Sequence, residues 1–158
     1  MPGFLKRSLF VLEANIDDMN PQWFEPLMER LFEAGALDVV LIPAIMKKSR
    51  PAVVLQVLTE PRRQERLFGI IFEESTTLGV RSYPVTRYEL KREIKTVKTP
   101  YGNVRVKIAR DTNGKVFNVA PEFESCRALS RKKGVPLKKI YAAVTRATLF
   151  MAHSVGSF

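Results

Sequence analysis

The chain has 158 residues, enough for a compact fold with a hydrophobic core, and its 46% apolar and 27% charged residues exclude a disordered or fibrous chain. No stretch approaches the roughly 18 uninterrupted apolar residues of a membrane span. The run Leu9-Phe10-Val11-Leu12 behind Lys6-Arg7 is too short for a secretory signal, and the single Cys126 cannot form an internal disulfide, so a cytoplasmic protein with no membrane partner is expected. The 26 Lys and Arg against 16 Asp and Glu give a net charge of +10. That excess is uneven: residues 1–60 carry −2, residues 61–120 carry +7 and residues 121–158 carry +5. A basic surface attracts phosphates on nucleotides, nucleic acids or headgroups, and also serves plain solubility.

Leu9 to Ile16 reads as a strand running into the acidic turn Asp17-Asp18. Asn20 then supplies an N-cap and Pro21 a first helical residue. Phe24, Leu27, Met28 and Leu31 recur at i, i+3, i+4, i+7, one face of a helix, and Gly35 sits where a left-handed C-terminal residue is wanted. A second strand, Ala36 to Ile42, leads through the basic loop Lys47-Lys48-Ser49-Arg50-Pro51 into a third, Ala52 to Leu58. A second helix starts at Thr59-Glu60-Pro61, turns Leu67, Ile70 and Ile71 inward and stops near Thr77-Leu78-Gly79; Val80 to Tyr88 forms a fourth strand. The fold class is therefore α+β, a ferredoxin-like βαββαβ sheet with helices on one face, spanning residues 1–90. Residues 91–158 add a β-meander (Glu93 to Thr99, Val104 to Ala109, Val116 to Val119) and two helices, Glu122 to Lys133 and Pro136 to Met151, expected to pack as one unit with the first part. The tail from Ser154 is expected to fray.

Four segments carry candidate chemistry. Glu13, Asn15 and Asp17 alternate along a strand and so share a face, and with Asp18 they offer oxygen ligands to a hard cation; Asp17 and Asp18 equally suit the positive end of the helix that follows. Lys47, Lys48 and Arg50 make a polyphosphate clamp or an ordinary solvated hairpin. Thr76, Thr77, Gly79 and Arg81 offer hydroxyls, a glycine and a cation at a helix-to-strand junction, although a helix C-terminus repels phosphate and a simple helix stop explains Gly79 equally well. Pro121 starts a helix with Glu122 and Glu124 beside it, where Cys126 shares a face with Phe123 and Leu129 and reads as a core thiol. The only histidine is His153, and C-x-x-C, H-E-x-x-H, Walker and G-x-S-x-G patterns are absent, which removes the usual support for zinc hydrolases, kinases and serine hydrolases.

Taken together, Glu13-Ala14-Asn15-Ile16-Asp17-Asp18-Met19, Met46-Lys47-Lys48-Ser49-Arg50-Pro51, Thr76-Thr77-Leu78-Gly79-Val80-Arg81, Thr99-Pro100-Tyr101-Gly102-Asn103-Val104-Arg105-Val106-Lys107 and Asn118-Val119-Ala120-Pro121-Glu122 resemble, in order, the C-terminal region of the LarC-type nickel insertion proteins. Ala14 and Ser49 stand where the family pattern has Thr and Asn. The resemblance implies the CTP-binding portion of a CTP-dependent cyclometallase. Such an enzyme inserts Ni²⁺ into pyridinium-3,5-bisthiocarboxylic acid mononucleotide, giving the nickel pincer cofactor of lactate racemase, and consumes CTP to CMP and pyrophosphate. It further implies a nickel-binding N-terminal domain outside these residues and CTP held with Mg²⁺ or Mn²⁺; a homo-oligomer is expected separately, because ferredoxin-like sheets commonly associate through their edges or open faces. On that reading Lys47, Lys48, Arg50, Arg81 and Lys107 meet phosphates, Thr76, Thr77 and Gly79 shape the nucleotide pocket, and Asp17, Asp18 and Glu122 hold the metal; no catalytic residue is assigned. The rivals are an RNA-binding module, disfavoured because the RRM aromatic strand motif is absent, and an oligomerisation domain of a larger protein.

Overall fold

The computed structural model describes residues 3–153, with side chains through Leu149; the tail from Ser154 lies outside the described residues. The elements follow as β1 (Leu5–Ile16), α1 (Phe24–Glu33), β2 (Asp38–Met46), β3 (Arg50–Thr59), α2 (Gln64–Glu74), β4 (Arg81–Glu89), β5 (Lys91–Thr99), β6 (Gly102–Arg110), β7 (Val116–Pro121), α3 (Phe123–Lys133) and α4 (Leu137–His153). They group into two compact units, one spanning Arg7–Arg87 and the other holding the described residues before Arg7 and from Tyr88 onward.

In the first unit four strands order as β2, β3, β1, β4, with β1 to β3 and β3 to β2 antiparallel. With α1 after β1 and α2 after β3, this is the split βαβ order. From Leu12 to Ile16 the period of two sorts β1. Leu12, Ala14 and Ile16 are buried beside Leu55 and Val57 of β3, whereas Glu13 and Asn15 point the other way. Phe24, Leu27 and Leu31 of α1 and Leu67, Ile70 and Ile71 of α2 close the same core, so both helices cover one sheet face. Asn20 caps as its spacing predicts: its side chain accepts from Gln22 N–H at 3.0 Å, with Pro21 opening a 3₁₀ turn that runs into α1. Gly35 adopts φ +93°, and an Arg63 guanidinium fills the space a Cβ would need while donating to Gly35 O at 2.9 Å.

In the second unit β5, β6 and β7 form an antiparallel sheet. Val97, Val104, Val106 and Ile108 from its strands pack with Cys126 and Leu129 of α3 and Ile140 and Val144 of α4. Cys126 is a core thiol as expected; burial and the nearby Glu122 charge push its pKa up, which removes nucleophilic character at neutral pH. Phe123, read as its partner on the buried face, is 51% exposed instead. It is the first residue of α3, where the chain leaves β7 before the helix settles on the sheet.

Two strand-and-loop readings change. The basic segment is a 3₁₀ turn at Lys47–Ser49, and Arg50 and Pro51 already belong to β3. Gly79 does not stop α2: the helix ends at Glu74, Ser75 is extended at φ −131°, and Gly79 is not among the positive-φ glycines. The Ser75 hydroxyl donates to Ile71 O at 2.6 Å, so a side chain does the capping that glycine was expected to do.

Candidate functional site

Nine of the eleven expected site residues lie in the Arg7–Arg87 unit, and side-chain bonds place Asp17, Asp18, Arg50, Thr76 and Arg81 at the rim and open face of its sheet. Register decides how. Glu13 of β1 lies opposite Gln56 of β3, and β4 lies on the other side of β1. Glu13 therefore accepts from Gln56 Nε2 at 2.7 Å, from Arg81 Nε and Nη2 at 3.1 and 2.7 Å, and from the Tyr83 hydroxyl at 3.0 Å. Arg81 Nη2 also donates to Asn15 Oδ1 at 2.7 Å. These bonds, that from Gln56 first and then those from Arg81 and Tyr83, hold the Glu13 carboxyl below the usual range against the opposing effect of burial. Burial, together with the Glu13 charge, raises Tyr83. Arg81 is thus clamped along its Nε and Nη2 edge, and its Nη1 donors face no described protein acceptor.

At the end of β1 the backbone turns and the acidic pair finds other partners. Asp17 Oδ2 receives Arg50 Nη1 at 3.2 Å, and Asp18 accepts from the Thr76 hydroxyl. Both sets are reached across long stretches of chain, 33 residues for Asp17 to Arg50 and 58 for Asp18 to Thr76. Lys47 and Lys48, exposed on the turn next to Arg50, make no ion pair among the described residues. Thr77 and Gly79 close a small local turn, the Thr77 hydroxyl donating to Gly79 O at 3.0 Å, and Leu78 at its tip is 99% exposed.

The turn is strained. Lys48 at φ 60° and Ser49 at φ 54° are both left-handed without being glycine, a conformation that costs an L residue about 1–2 kcal/mol. Asn tolerates it best among non-glycine residues. Ser49→Asn is therefore expected to stabilise this unit by about 0.5 kcal/mol, read as a higher urea midpoint followed by Trp23 fluorescence. Acid acts in the opposite direction through Glu13. Its folded pKa lies below the ordinary value of 4.5, so its contribution is complete above that pH and is lost as pH falls through the lowered folded value. The urea midpoint is expected to drop on acidification below about pH 4.5, and less steeply in Glu13→Gln.

The second unit holds the other two expected residues. Lys107 on β6 is exposed and pairs in register with Ala120 of β7. Glu122, just before α3, has Arg105 Nε at 2.6 Å from its Oε2, an ion-pair contact off the hydrogen-bond direction. Among the described residues no three His, Cys, Asp or Glu side chains gather to hold a metal ion by themselves. Gln56 and Tyr83 were not singled out in the sequence. Tyr83 was legible, because it lies two residues after Arg81 on the same strand and so shares its face; Gln56 was not, because only the β1–β3 register selects it.

An α+β chain with a ferredoxin-like strand order and an Asp/Arg/Lys rim beside the open sheet face is thereby defined. The sequence profile of the nickel insertion protein family matches residues 2–141, and the chain belongs to that family. The pyridinium-3,5-bisthiocarboxylic acid mononucleotide nickel insertion protein of Acetivibrio thermocellus is 48% identical over 139 residues, covering 88% of this chain and 34% of its own length. The protein of the same name from Thermotoga sp. strain RQ2 is 45% identical over 137 residues, covering 87% of this chain and 34% of its own. The chain therefore spans about a third of the curated relatives it matches. Among solved structures, the apo C-terminal domain of a cyclometallase involved in synthesis of the NPN cofactor of lactate racemase superposes with a TM-score of 0.81 at 35% identity, covering 91% of this chain and 99% of that one. No helix among the described residues is long and apolar enough to cross a membrane.

Proposed function

We propose that this chain is the CTP-binding portion of a CTP-dependent nickel insertase, acting with a nickel-binding domain on pyridinium-3,5-bisthiocarboxylic acid mononucleotide, and that the Asp17/Asp18/Arg50 rim binds CTP with Mg²⁺ or Mn²⁺. The observation that carries it is the pairing of Asp17 with Arg50 beside Lys47 and Lys48, which make no ion pair among the described residues. A metal–triphosphate is itself bipolar. Its cation suits Asp17 and Asp18, and its phosphate oxygens suit Arg50, Lys47, Lys48 and the open Nη1 side of Arg81. Separating the half-exposed Arg50 from Asp17 costs little, since such pairs contribute about 0–1 kcal/mol. The donor set fits a hard divalent ion, which commonly takes one or two carboxylates and completes its shell with phosphate and water. When bound, that ion neutralises phosphate charge. The chain's own residues bind and orient: Arg50 and Arg81 fix the phosphates through planar donors, while Thr76 and Thr77 border the nucleotide.

Lys107 and Glu122 belong to the other unit, and this reading rests on the Arg7–Arg87 residues alone. Exposed Val40, Ile42 and Ile45 on the edge strand β2 support the further reading that copies of the chain associate. The test is calorimetric titration of the chain with CTP, ATP and GTP, each with and without Mg²⁺ or Mn²⁺. Saturable, metal-dependent binding that prefers CTP is expected. Equal weak binding of all three, or none, overturns the nucleotide assignment.

A further inference from the structure

The charge of the molecule is not shared between its units. Arg7–Arg87 holds 10 basic and 11 acidic residues, whereas Tyr88–Phe158 holds 15 basic and 5 acidic, so a charge of +10 falls in the stretch that does not carry the triphosphate rim described above. Within that basic unit the β5–β6 turn, β6 and one face of α3 enclose an open groove of about 650 Å³, well inside the size range of small-ligand sites.

Its walls differ in chemistry. Tyr101 and Leu129 supply an apolar surface, and Arg105, Lys132 and Lys133 supply three cations. Lys132 and Lys133 have no ion-pair partner among the described residues, and the one carboxylate in the groove, Glu124, is engaged by Arg127 at 3.4 Å. The scaffold is built rather than accidental. Arg105 is held by Glu122 at 2.6 Å, and its backbone N–H donates to the Ser125 hydroxyl at 3.0 Å, which ties β6 to the start of α3. Gly102 is at φ +136°, a conformation L side chains rarely adopt, and a Cβ there would come within 3.1 Å of Leu129 Cδ1, so glycine lets the turn press close to the helix without displacing that side chain.

A flat ring could lie on the Tyr101 and Leu129 wall while a phosphate reaches the lysines. We propose that this groove is a second ligand site, taking a mononucleotide with a planar ring that bears carboxylate-type groups and a single phosphate. On the function proposed above, on which this choice of ligand rests, the occupant is the pyridinium mononucleotide, with the nucleoside triphosphate assigned to residues of the other unit.

The test titrates the whole chain with nicotinic acid mononucleotide, a pyridinium ring bearing one carboxylate on ribose phosphate, and separately with inorganic phosphate and with Mg·CTP. The Lys132→Ala/Lys133→Ala variant, altered only at exposed positions, is measured beside the wild type. Expected are saturable binding of the mononucleotide more tightly than phosphate, a loss of about tenfold or more in the variant as two charge-assisted contacts disappear, and an unchanged Mg·CTP affinity. Mononucleotide binding no tighter than phosphate, or indifferent to the two lysines, overturns the inference whatever CTP does. A matching loss of CTP affinity overturns it as well, since the groove would then belong to the triphosphate. Should CTP fail to bind even the wild type, the proposed function falls while the mononucleotide titration still decides the groove.

Discussion

Replacing Arg81 by alanine is expected to weaken Mg·CTP binding by about 10- to 100-fold, the loss of one charge-assisted donor group worth about 1.5–3 kcal/mol. The cost to the fold should be smaller, about 1 kcal/mol, because the guanidinium is largely exposed and its bonds to Glu13 and Asn15 are open to water. Arg81→Lys separates charge from geometry. A lysine keeps the cation but cannot clamp Glu13 and Asn15 with one edge while presenting another to phosphate, so affinity should recover only in part. Calorimetry on the two variants checks this, and equal binding by wild type and Arg81→Ala would remove Arg81 from the site. The same variant takes from Glu13 one of the partners that hold its pKa down, so the acid sensitivity of the Arg7–Arg87 unit should lessen in parallel.

The second large effect lies one residue from the site. Leu12→Ala is expected to destabilise the Arg7–Arg87 unit by about 3–4 kcal/mol, the range for a fully buried leucine whose cavity the surroundings only partly fill. Leu12 is completely inaccessible on central strand β1, packed among residues of β3, α1 and α2. The chain's single tryptophan, Trp23, falls in this unit, so its fluorescence in urea reports the unit's unfolding directly. Glu13→Ala, on the opposite face of the same strand, should move the urea midpoint far less yet disturb Arg81, Gln56 and Tyr83 together. Adjacent residues thus divide stability from site architecture because a strand alternates its side chains between two faces.

The helix faces were legible without the structure: Phe24, Leu27 and Leu31, and Leu67, Ile70 and Ile71, follow a 3.6-residue repeat that needs no knowledge of the partner, only of the need to bury one side. The Asn20-Pro21 start was equally local, as was the core character of Cys126. Where reading failed, a competing local interaction or the end of an element intervened. Ser75 capped α2 four residues ahead of Gly79, and Phe123 sat too early in α3 for the helix to bury it. Strand ends also ran further than their apolar cores, as with β1, which begins at Leu5, because backbone pairing continues where side chains are already polar or exposed.

The sequence by itself determined the elements, the family, and the kinds of residue available: carboxylates before α1, cations after β2, hydroxyls after α2. Which of them meet was decided only by the tertiary structure. Arg81 reaches Glu13 across 68 residues and Arg50 reaches Asp17 across 33, while Arg105, Lys132 and Lys133 come to line one groove from separate elements. Hydrogen-bond partners at 2.7–3.2 Å depend on strand register, and a slip of one residue would turn Glu13 into the core and Leu12 out of it. That register is fixed by burying Leu12, Ala14 and Ile16 against both helices at once, a condition on the whole unit that no local stretch of sequence contains.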